Sequence, residues 1–294
     1  KRRFNIWLWV LLCVPCLLTS CDHDVHDDKE ESGLSVSLTW ADEADQGTKV
    51  KDVKLWIFNA DDGSLVEEKQ YGGAQEVASQ RFQLPEGTYR ILTTTNLTEP
   101  FFISEQTRAL TNWNNIQIGL TNPKDVNHNA YFGVTDVRID NKEGNYVVQN
   151  PVKSMLAELT IIIENVPKGT EMSGKALDCA WCLFPTLKNS DGEYGLPSIE
   201  PTEVELPTLL ATESTLKSEV IRLMPTIQGS PASHIYLRLQ LPDKTLQEFD
   251  ITAPKMNVGG KYELRFKYEE MQPKMNLEAT INGWTNLNNE VETK

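Results

Sequence analysis

One cysteine near the start of the chain lies among histidines and acids. Cys21 ends an apolar run, and His23, His26 and several aspartates follow it. Such residues offer three kinds of chemistry: a reactive thiol, a metal site with thiolate, imidazole and carboxylate ligands, or a processing site. The residues before Cys21 distinguish between these three.

The segment before Cys21 has the charge and the length of a secretion signal. Residues 1–3 are basic, and residues 6–18 are apolar apart from one proline. These 13 residues are too few to cross a bilayer core of about 30 Å as a helix. The ending Leu-Thr-Ser-Cys resembles a bacterial lipobox, in which the cysteine thiol receives a diacylglycerol. We expect a lipoprotein signal peptide at residues 1–20, cleavage between Ser20 and Cys21, and a lipid on Cys21; a plain secretory signal is the alternative.

The segment after the cleavage site has the composition of a flexible tether. Acids dominate residues 21–33, which have too few apolar side chains to build a core. His23 and His26 with the neighbouring carboxylates are weak ligands for a divalent ion, and a solvated acidic tail explains the segment more simply. The aspartates of this tether are Asp22, Asp24, Asp27 and Asp28.

A second constellation is the C-x-x-C motif formed by Cys179 and Cys182. Such a pair acts as a redox dithiol when its first cysteine begins a helix, because the helix dipole lowers the thiol pKa. Here the flanking residues alternate as in a strand, which places the two thiols on opposite faces. We interpret them as buried structural thiols; a disulfide across a strand bulge, and redox or metal chemistry, are the alternatives. A four-cysteine zinc site would need a second C-x-x-C, which the sequence lacks.

No other motif indicates catalysis or a cofactor. The sequence has no G-x-S-x-G, P-loop or H-E-x-x-H motif, and its segments rich in Asp, Asn and Gly fit hairpin turns better than calcium loops. His128 and His234 have no partner visible in the sequence, and Trp113 is the tryptophan that we expect to be most exposed. We predict no enzyme activity, no metal and no cofactor.

Composition and charge limit the fold and the partners. The 294 residues include 28 basic and 42 acidic side chains, for a net charge of −14. This excess of acids argues against a nucleic-acid partner, which needs clustered Lys and Arg. With 39% apolar residues, the chain can build hydrophobic cores.

Short alternating runs separated by turns begin at Leu34 and predict strands. Their regular spacing predicts an all-β fold of sandwich type, which we divide into domains at residues 34–148 and 149–294. Residues 156–166 are apolar on both faces, as in a central strand covered on both sides. Residues 195–217 are rich in Pro, Thr and Glu and predict a long surface excursion.

A series of sequence motifs resembles the fimbrillin-type lipoproteins of Bacteroidetes, and most closely their fimbrial anchor and accessory subunits. The resemblance covers residues 17–284. The motifs, in chain order after the lipobox, are LTW, DVKLWIFNADDGSLV, FQLPEGTYRILTTTN, MLAELTIIIENVP, VIRLMPT, VGGKYELRFKY and LEATINGW.

This resemblance implies a fold, a location and a mode of assembly. It implies two transthyretin-like β-sandwich domains in tandem, and a lipoprotein that the lipid on Cys21 holds on the outer membrane, exposed at the cell surface. Asp22, Asp24, Asp27 and Asp28 match the character of the family's surface-export signal. Other fimbrial subunits would bind by β-strand addition, the mechanism by which family members polymerise.

Two features separate this chain from the stalk subunits of that family. Stalk subunits lose their first strand after a basic residue, whereas Lys29 is the only basic residue between Cys21 and Trp40. Proteolytic removal of a longer N-terminal segment, after Arg81 or Arg90, is a further alternative. The polar residues 285–294 lack the alternation of a donor strand. We therefore expect an anchor or accessory subunit, with a non-polymerising lipoprotein that binds a host protein or a glycan as the alternative.

Overall fold

Nearly all of the regular secondary structure in the described chain is β-strand. The computed structural model describes residues 32–40, 50–104, 111–123, 126 and 128–271. One short helix, α1 at Ala74–Ala78, and two single 3₁₀ turns at Trp113–Asn115 and Tyr268–Glu270 are the helices within these ranges. The strands are β1 Gly33–Trp40, β2 Val53–Asn59, β3 Leu65–Tyr71, β4 Gly87–Thr95, β5 Phe101–Ile103, β6 Ile118–Leu120, β7 Tyr131–Ile139, β8 Asn145–Ser154, β9 Ala157–Glu164, β10 Glu171–Ala180, β11 Cys182–Lys188, β12 Tyr194–Pro197, β13 Pro201–Leu210, β14 Thr215–Lys217, β15 Ile221–Leu223, β16 Ala232–Gln240, β17 Leu246–Pro254 and β18 Lys261–Lys267.

Four sheets contain these strands. Sheet I has six strands in the order β1-β8-β7-β4-β2-β3. Sheet II has the order β12-β11-β6-β5, and sheet IV has the order β13-β10-β16-β17. In sheet III, β9 pairs with β14 and β15 in antiparallel fashion and with β18 in parallel.

Sheet I buries apolar side chains on both of its faces. Alternate residues of β2 explain this, since Leu55 and Ile57 enter one core while Trp56 and Phe58 enter another. The first core lies between sheet I, α1 and the segment around Phe82. The second core is larger and takes side chains from the other face of sheet I and from sheets II, III and IV.

Sheet II joins strands that are far apart in the chain. Its strands β5 and β6 precede the predicted domain boundary at residue 148, and β11 and β12 follow it. Cys182 pairs with Gly119, and Leu183 pairs with Ile118, so backbone hydrogen bonds connect the two halves. The boundary itself falls inside β8, and the division at residues 148 and 149 stays a prediction.

The all-β prediction is confirmed, and the sheets form sandwich-like domains. The central-strand prediction for residues 156–166 is also confirmed, because β9 is flanked on both sides. The surface excursion at residues 195–217 is wrong. Most of that segment forms β12, β13 and β14, and β13 pairs along its length with β10. An edge strand tolerates proline, which explains why a Pro-rich sequence adopts this structure.

Candidate functional site

The edge strand β1 is built into the first core. It pairs in parallel with β8, from Gly33 opposite Asn145 to Trp40 opposite Val152. Leu34 is fully buried, and its backbone N–H and C=O each bond to Phe82 at 2.9 Å. On the side of β1 away from β8, the bridge between Leu34 and Phe82 is the only backbone pairing within the described part of the chain. Strand β1 therefore forms one edge of sheet I.

A groove opens between the edges of sheets III and IV. Its volume is about 620 Å³, and β13 forms one wall while β14 and β15 form the other. Val204, Leu206 and Ile221 are buried side chains along it, and Val220 is 45% exposed at its margin. Among the described strands, β13 pairs only with β10, and β15 pairs only with β9. We call this feature the edge groove.

Arg90 links sheet I to sheet II. Its guanidinium lies 3.6 Å from the ring centroid of Trp113 and 5.0 Å from that of Tyr194. It also bonds to both carboxylate oxygens of Asp136, at 2.7 and 3.2 Å. The Tyr194 hydroxyl donates to the same carboxylate at 3.1 Å. These four side chains form a cluster that combines cation–π contacts with a bidentate ion pair, which we call the arginine clasp.

The clasp changes the proton affinity of its two acidic members. Partial burial raises the pKa of Asp136, but the hydrogen bonds and charge of Arg90 outweigh it, helped by Tyr194 and Lys188, so the net pKa is lowered. Partial burial raises the pKa of Tyr194 to about 12, opposed by Arg90 and reinforced by Asp136. At neutral pH the clasp therefore holds an ionised carboxylate and a neutral phenol.

The C-x-x-C motif spans a bend between two sheets. Cys179 lies near the end of β10 in sheet IV, Cys182 begins β11 in sheet II, and Trp181 lies between the strands. The prediction that Cys179 and Cys182 lie on one continuous strand is therefore wrong. Both thiols are buried and free. Burial, followed by the charge of Asp178, raises the pKa of Cys179 to about 12; burial also raises the pKa of Cys182, against a hydrogen bond from Ser198.

Both thiols should react slowly in the folded protein. A thiol nucleophile must ionise and be reached by solvent, and burial opposes both requirements at Cys179 and Cys182. In a chain that begins at Asp22 and so lacks Cys13, Cys16 and Cys21, we expect little labelling by a maleimide in an hour at pH 7.5 and full labelling in guanidinium chloride. Mass spectrometry checks this. Rapid labelling of the native protein at pH 6 would contradict the buried-thiol interpretation.

The two described histidines have partners that the sequence did not reveal. His128 lies 3.3 Å from the Thr98 hydroxyl and 3.2 Å from the Asn96 carbonyl oxygen. His234 pairs with the carboxylate of Asp178 through its ring and its backbone N–H. Within the described residues, no group of three or more His, Cys, Asp and Glu side chains is arranged to hold a metal ion.

The tryptophan exposures differ from the expectation. Trp113 is partly buried in the arginine clasp, whereas Trp181 is 43% exposed. The prediction that Trp113 is the most exposed tryptophan is therefore wrong for those that the structure describes. Trp181 is exposed because it lies at the bend between β10 and β11. The alternating residues around it predict a continuous strand, so the sequence did not reveal this bend.

Several predicted features lie outside the described residues. They are the signal peptide, Ser20, Cys21, the aspartates Asp22, Asp24, Asp27 and Asp28, and residues 272–294. No helix in the described ranges is both long and apolar enough to cross a membrane.

A family model decides the relationship of this chain to known proteins. The model describes the fimbrillin-A associated anchor proteins Mfa1 and Mfa2, and it matches residues 20–290. The chain belongs to this anchor family. The resemblance noted in the sequence is thereby confirmed. No curated protein sequence matches the chain.

Solved structures share the fold of this anchor-family chain. The fimbrial anchor protein Mfa2 from Porphyromonas gingivalis is similar, with a TM-score of 0.56, 13% identity, and coverage of 81% of this chain and 90% of that chain. A candidate adhesin from Bacteroides thetaiotaomicron has a TM-score of 0.56, 12% identity, and coverage of 81% and 92%. A protein from the same species described as a candidate polysaccharide-binding protein has a TM-score of 0.52, 9% identity, and coverage of 82% and 94%. At these identities the likeness concerns the fold alone.

Membership of the anchor family places the protein among the structural proteins of fimbriae and not in a family of enzymes.

The arginine clasp was not predicted. Its residues are separated by 46 positions between Arg90 and Asp136 and by 58 between Asp136 and Tyr194, so no local spacing could indicate it.

Proposed function

We propose that this protein is a fimbrial anchor or accessory subunit on the outer surface of the outer membrane. The observation that carries the proposal is the match to the anchor-family model along residues 20–290. A lipid on Cys21 would hold the chain on the membrane, and Asp22, Asp24, Asp27 and Asp28 would direct it to the cell surface. The protein would act through binding surfaces and not through catalysis.

Strand addition is the proposed mode of binding to other fimbrial subunits. The edge groove supports it, because within the described residues β13 and β15 each have one edge that no other strand pairs with, beside the apolar side chains Val204, Leu206 and Ile221. An extended strand places alternate side chains about 7 Å apart, so its apolar residues can enter such a groove while its backbone extends a sheet. In contrast, β1 already fills its own place in the first core.

Loss of the lipid should release the protein from the membrane. Acyl chains contribute about 0.8 kcal/mol per buried CH₂, so several chains give durable attachment. We expect wild-type protein in the outer-membrane fraction and a Cys21→Ala variant mainly in the soluble fraction, measured by immunoblotting after fractionation. Equal membrane fractions for the two proteins, after a carbonate wash, would refute lipid attachment at Cys21.

Cross-linking from the edge groove should capture a fimbrial subunit. In intact cells, a Val220→Cys variant labelled with a maleimide-benzophenone, which inserts into C–H bonds of its neighbours on irradiation, should yield an adduct in which mass spectrometry identifies a fimbrial subunit. A Leu246→Cys variant is the matched control, because Leu246 is 55% exposed on the margin of sheet IV away from the groove. Equal adducts from both variants, or none from Val220→Cys in fimbriated cells, would refute this surface.

The alternative function is a non-polymerising surface lipoprotein that binds a host protein or a glycan. An exposed aromatic side chain favours it, because Trp181 presents its ring to solvent beside Phe102. If the alternative is correct, Cys21→Ala still releases the protein, but no fimbrial subunit is recovered with wild type.

A further inference from the structure

The outer face of sheet II carries an aromatic strip. Phe102, Gly119 and Cys182 are direct cross-strand neighbours and therefore share one face. Phe184 follows on the same face, about 7 Å further along β11, and pairs with Leu196. The alternate residues Phe101, Ile118 and Leu183 enter the second core. The strip thus faces away from that core.

Two structural features hold the aromatic rings of this strip. A side chain at Gly119 would place its Cβ 2.6 Å from the Phe102 ring, so glycine is required for that ring to lie across β6. Trp181, at the bend between β10 and β11, lies against Phe102 with ring centroids 5.6 Å apart and an interplanar angle of 49°. Its backbone N–H is bonded to the Ser198 hydroxyl and the Glu200 carbonyl oxygen, at 3.1 Å each. Phe102 is half-buried and Trp181 is exposed, so the pair forms a fixed, solvent-facing surface.

A pocket with both apolar and polar side chains adjoins the strip at Leu196. Its volume is about 360 Å³, within the range of about 300–1,000 Å³ that is usual for small-molecule sites. Beside Leu196 and Pro197, amide, hydroxyl and ammonium groups line it, from Asn189, Ser190, Gln228, Ser230 and Lys255. The Gln228 backbone N–H bonds to the Ser198 carbonyl oxygen at 3.0 Å, which fixes the loop containing Gln228 beside β12.

The combination of aromatic rings and hydrogen-bonding side chains matches a carbohydrate. Pyranose rings have apolar C–H faces that pack on aromatic rings and equatorial hydroxyls that both donate and accept hydrogen bonds. A peptide strand would need an unpaired backbone edge, whereas β11 and β6 are paired on both sides. The net charge of −14 disfavours polyanionic glycans.

We propose that the aromatic strip of Trp181 and Phe102, with the adjoining pocket at Gln228 and Lys255, binds a neutral polysaccharide. This site is separate from the edge groove, and it operates whether or not the protein joins a fimbria.

Native gel electrophoresis in gels containing yeast mannan, laminarin, amylopectin or galactomannan tests this proposal. The wild-type protein should be retarded by at least one of these polysaccharides. Trp181→Ala and Phe102→Ala should each raise the Kd for that polysaccharide at least tenfold, and Trp181→Phe should keep part of the affinity. Leu246→Ala removes an apolar side chain elsewhere that is even more exposed than Trp181, and it should leave the Kd unchanged. Equal thermal melting of all variants verifies that they are folded.

Three results of the gel experiment would overturn the proposal. They are retardation by none of the four neutral polysaccharides, retardation only by chondroitin sulfate, and an unchanged Kd in both alanine variants. Recovery of a fimbrial subunit by cross-linking from Trp181→Cys would instead identify the strip as a subunit interface, and would also overturn it. The cross-linking result for Val220→Cys is independent of all these outcomes.

Discussion

A Leu34→Asp variant should lose at least about 4 kcal/mol of unfolding free energy, because a carboxylate would replace a fully buried side chain in the first core. Leu34 belongs to the same core as Val77 and Phe82, and its backbone N–H and C=O both bond to Phe82. Neither partner offers the charged groups that a buried carboxylate requires. Urea denaturation followed by tryptophan fluorescence measures the change.

The control for this variant is Val147→Asp on the neighbouring strand β8. Val147 is 67% exposed on the opposite face of sheet I, so the same type of change should cost less than about 0.5 kcal/mol. Similar denaturation midpoints for the two variants would mean that β1 contributes little to the core. The expected contrast would mean that β1 is part of the mature fold, as an anchor that keeps its first strand requires.

An Arg90→Met variant should lose about 2 kcal/mol at neutral pH. Methionine keeps the apolar length of the side chain but removes the stack on Trp113 and Tyr194 and the ion pair with Asp136. The stack contributes about 1 kcal/mol. The ion pair contributes about 1 kcal/mol and no more, because the Asp136 side chain is 44% exposed and solvent screens it.

The loss in Arg90→Met should depend on pH. Since the pKa of Asp136 is lower in the folded protein than its ordinary value of 3.8, the ion pair stabilises fully above pH 3.8. That stabilisation is lost as the pH falls through the lower folded-state pKa. The difference between wild type and variant should therefore shrink in acid, measured by urea denaturation from pH 2 to pH 7.

The matched control for the clasp is Arg138→Met. Arg138 pairs with Asp140 at 2.6 Å, but both side chains are mostly exposed, so its loss should cost under about 0.5 kcal/mol. Equal losses in the two arginine variants, or a loss in Arg90→Met that does not change with pH, would show that the clasp does not act as described.

The alternation of apolar and polar residues predicted the all-β class correctly, because a strand with one buried face places apolar residues at every second position. The same principle applies to β13, where Val204 and Leu206 are buried on alternate positions. Its prolines concealed this pattern, and they are tolerated because β13 is an edge strand. The transthyretin-like architecture came from the resemblance to a family and not from periodicity.

The surfaces that matter for binding could not be predicted from spacing. The aromatic strip depends on pairing between β5, β6 and β11, which brings Phe102 beside Trp181 across 79 positions of the sequence. The bend at Trp181 reverses the expected exposure of that side chain. Long-range pairings of this kind are properties of the whole fold, and a single sequence does not encode them locally.

The pairing of distant strands also determines when this protein can begin to fold. Gly33 must meet Asn145, and Gly119 must meet Cys182. A chain that emerges from its N-terminus onward therefore cannot complete sheet I until β8 has emerged, or close sheet II until β11 follows. Native topologies with such long loops fold slowly, because loop closure is an entropic cost that precedes the gain from contacts. The nascent chain should consequently keep both of these sheets open until β11 has emerged.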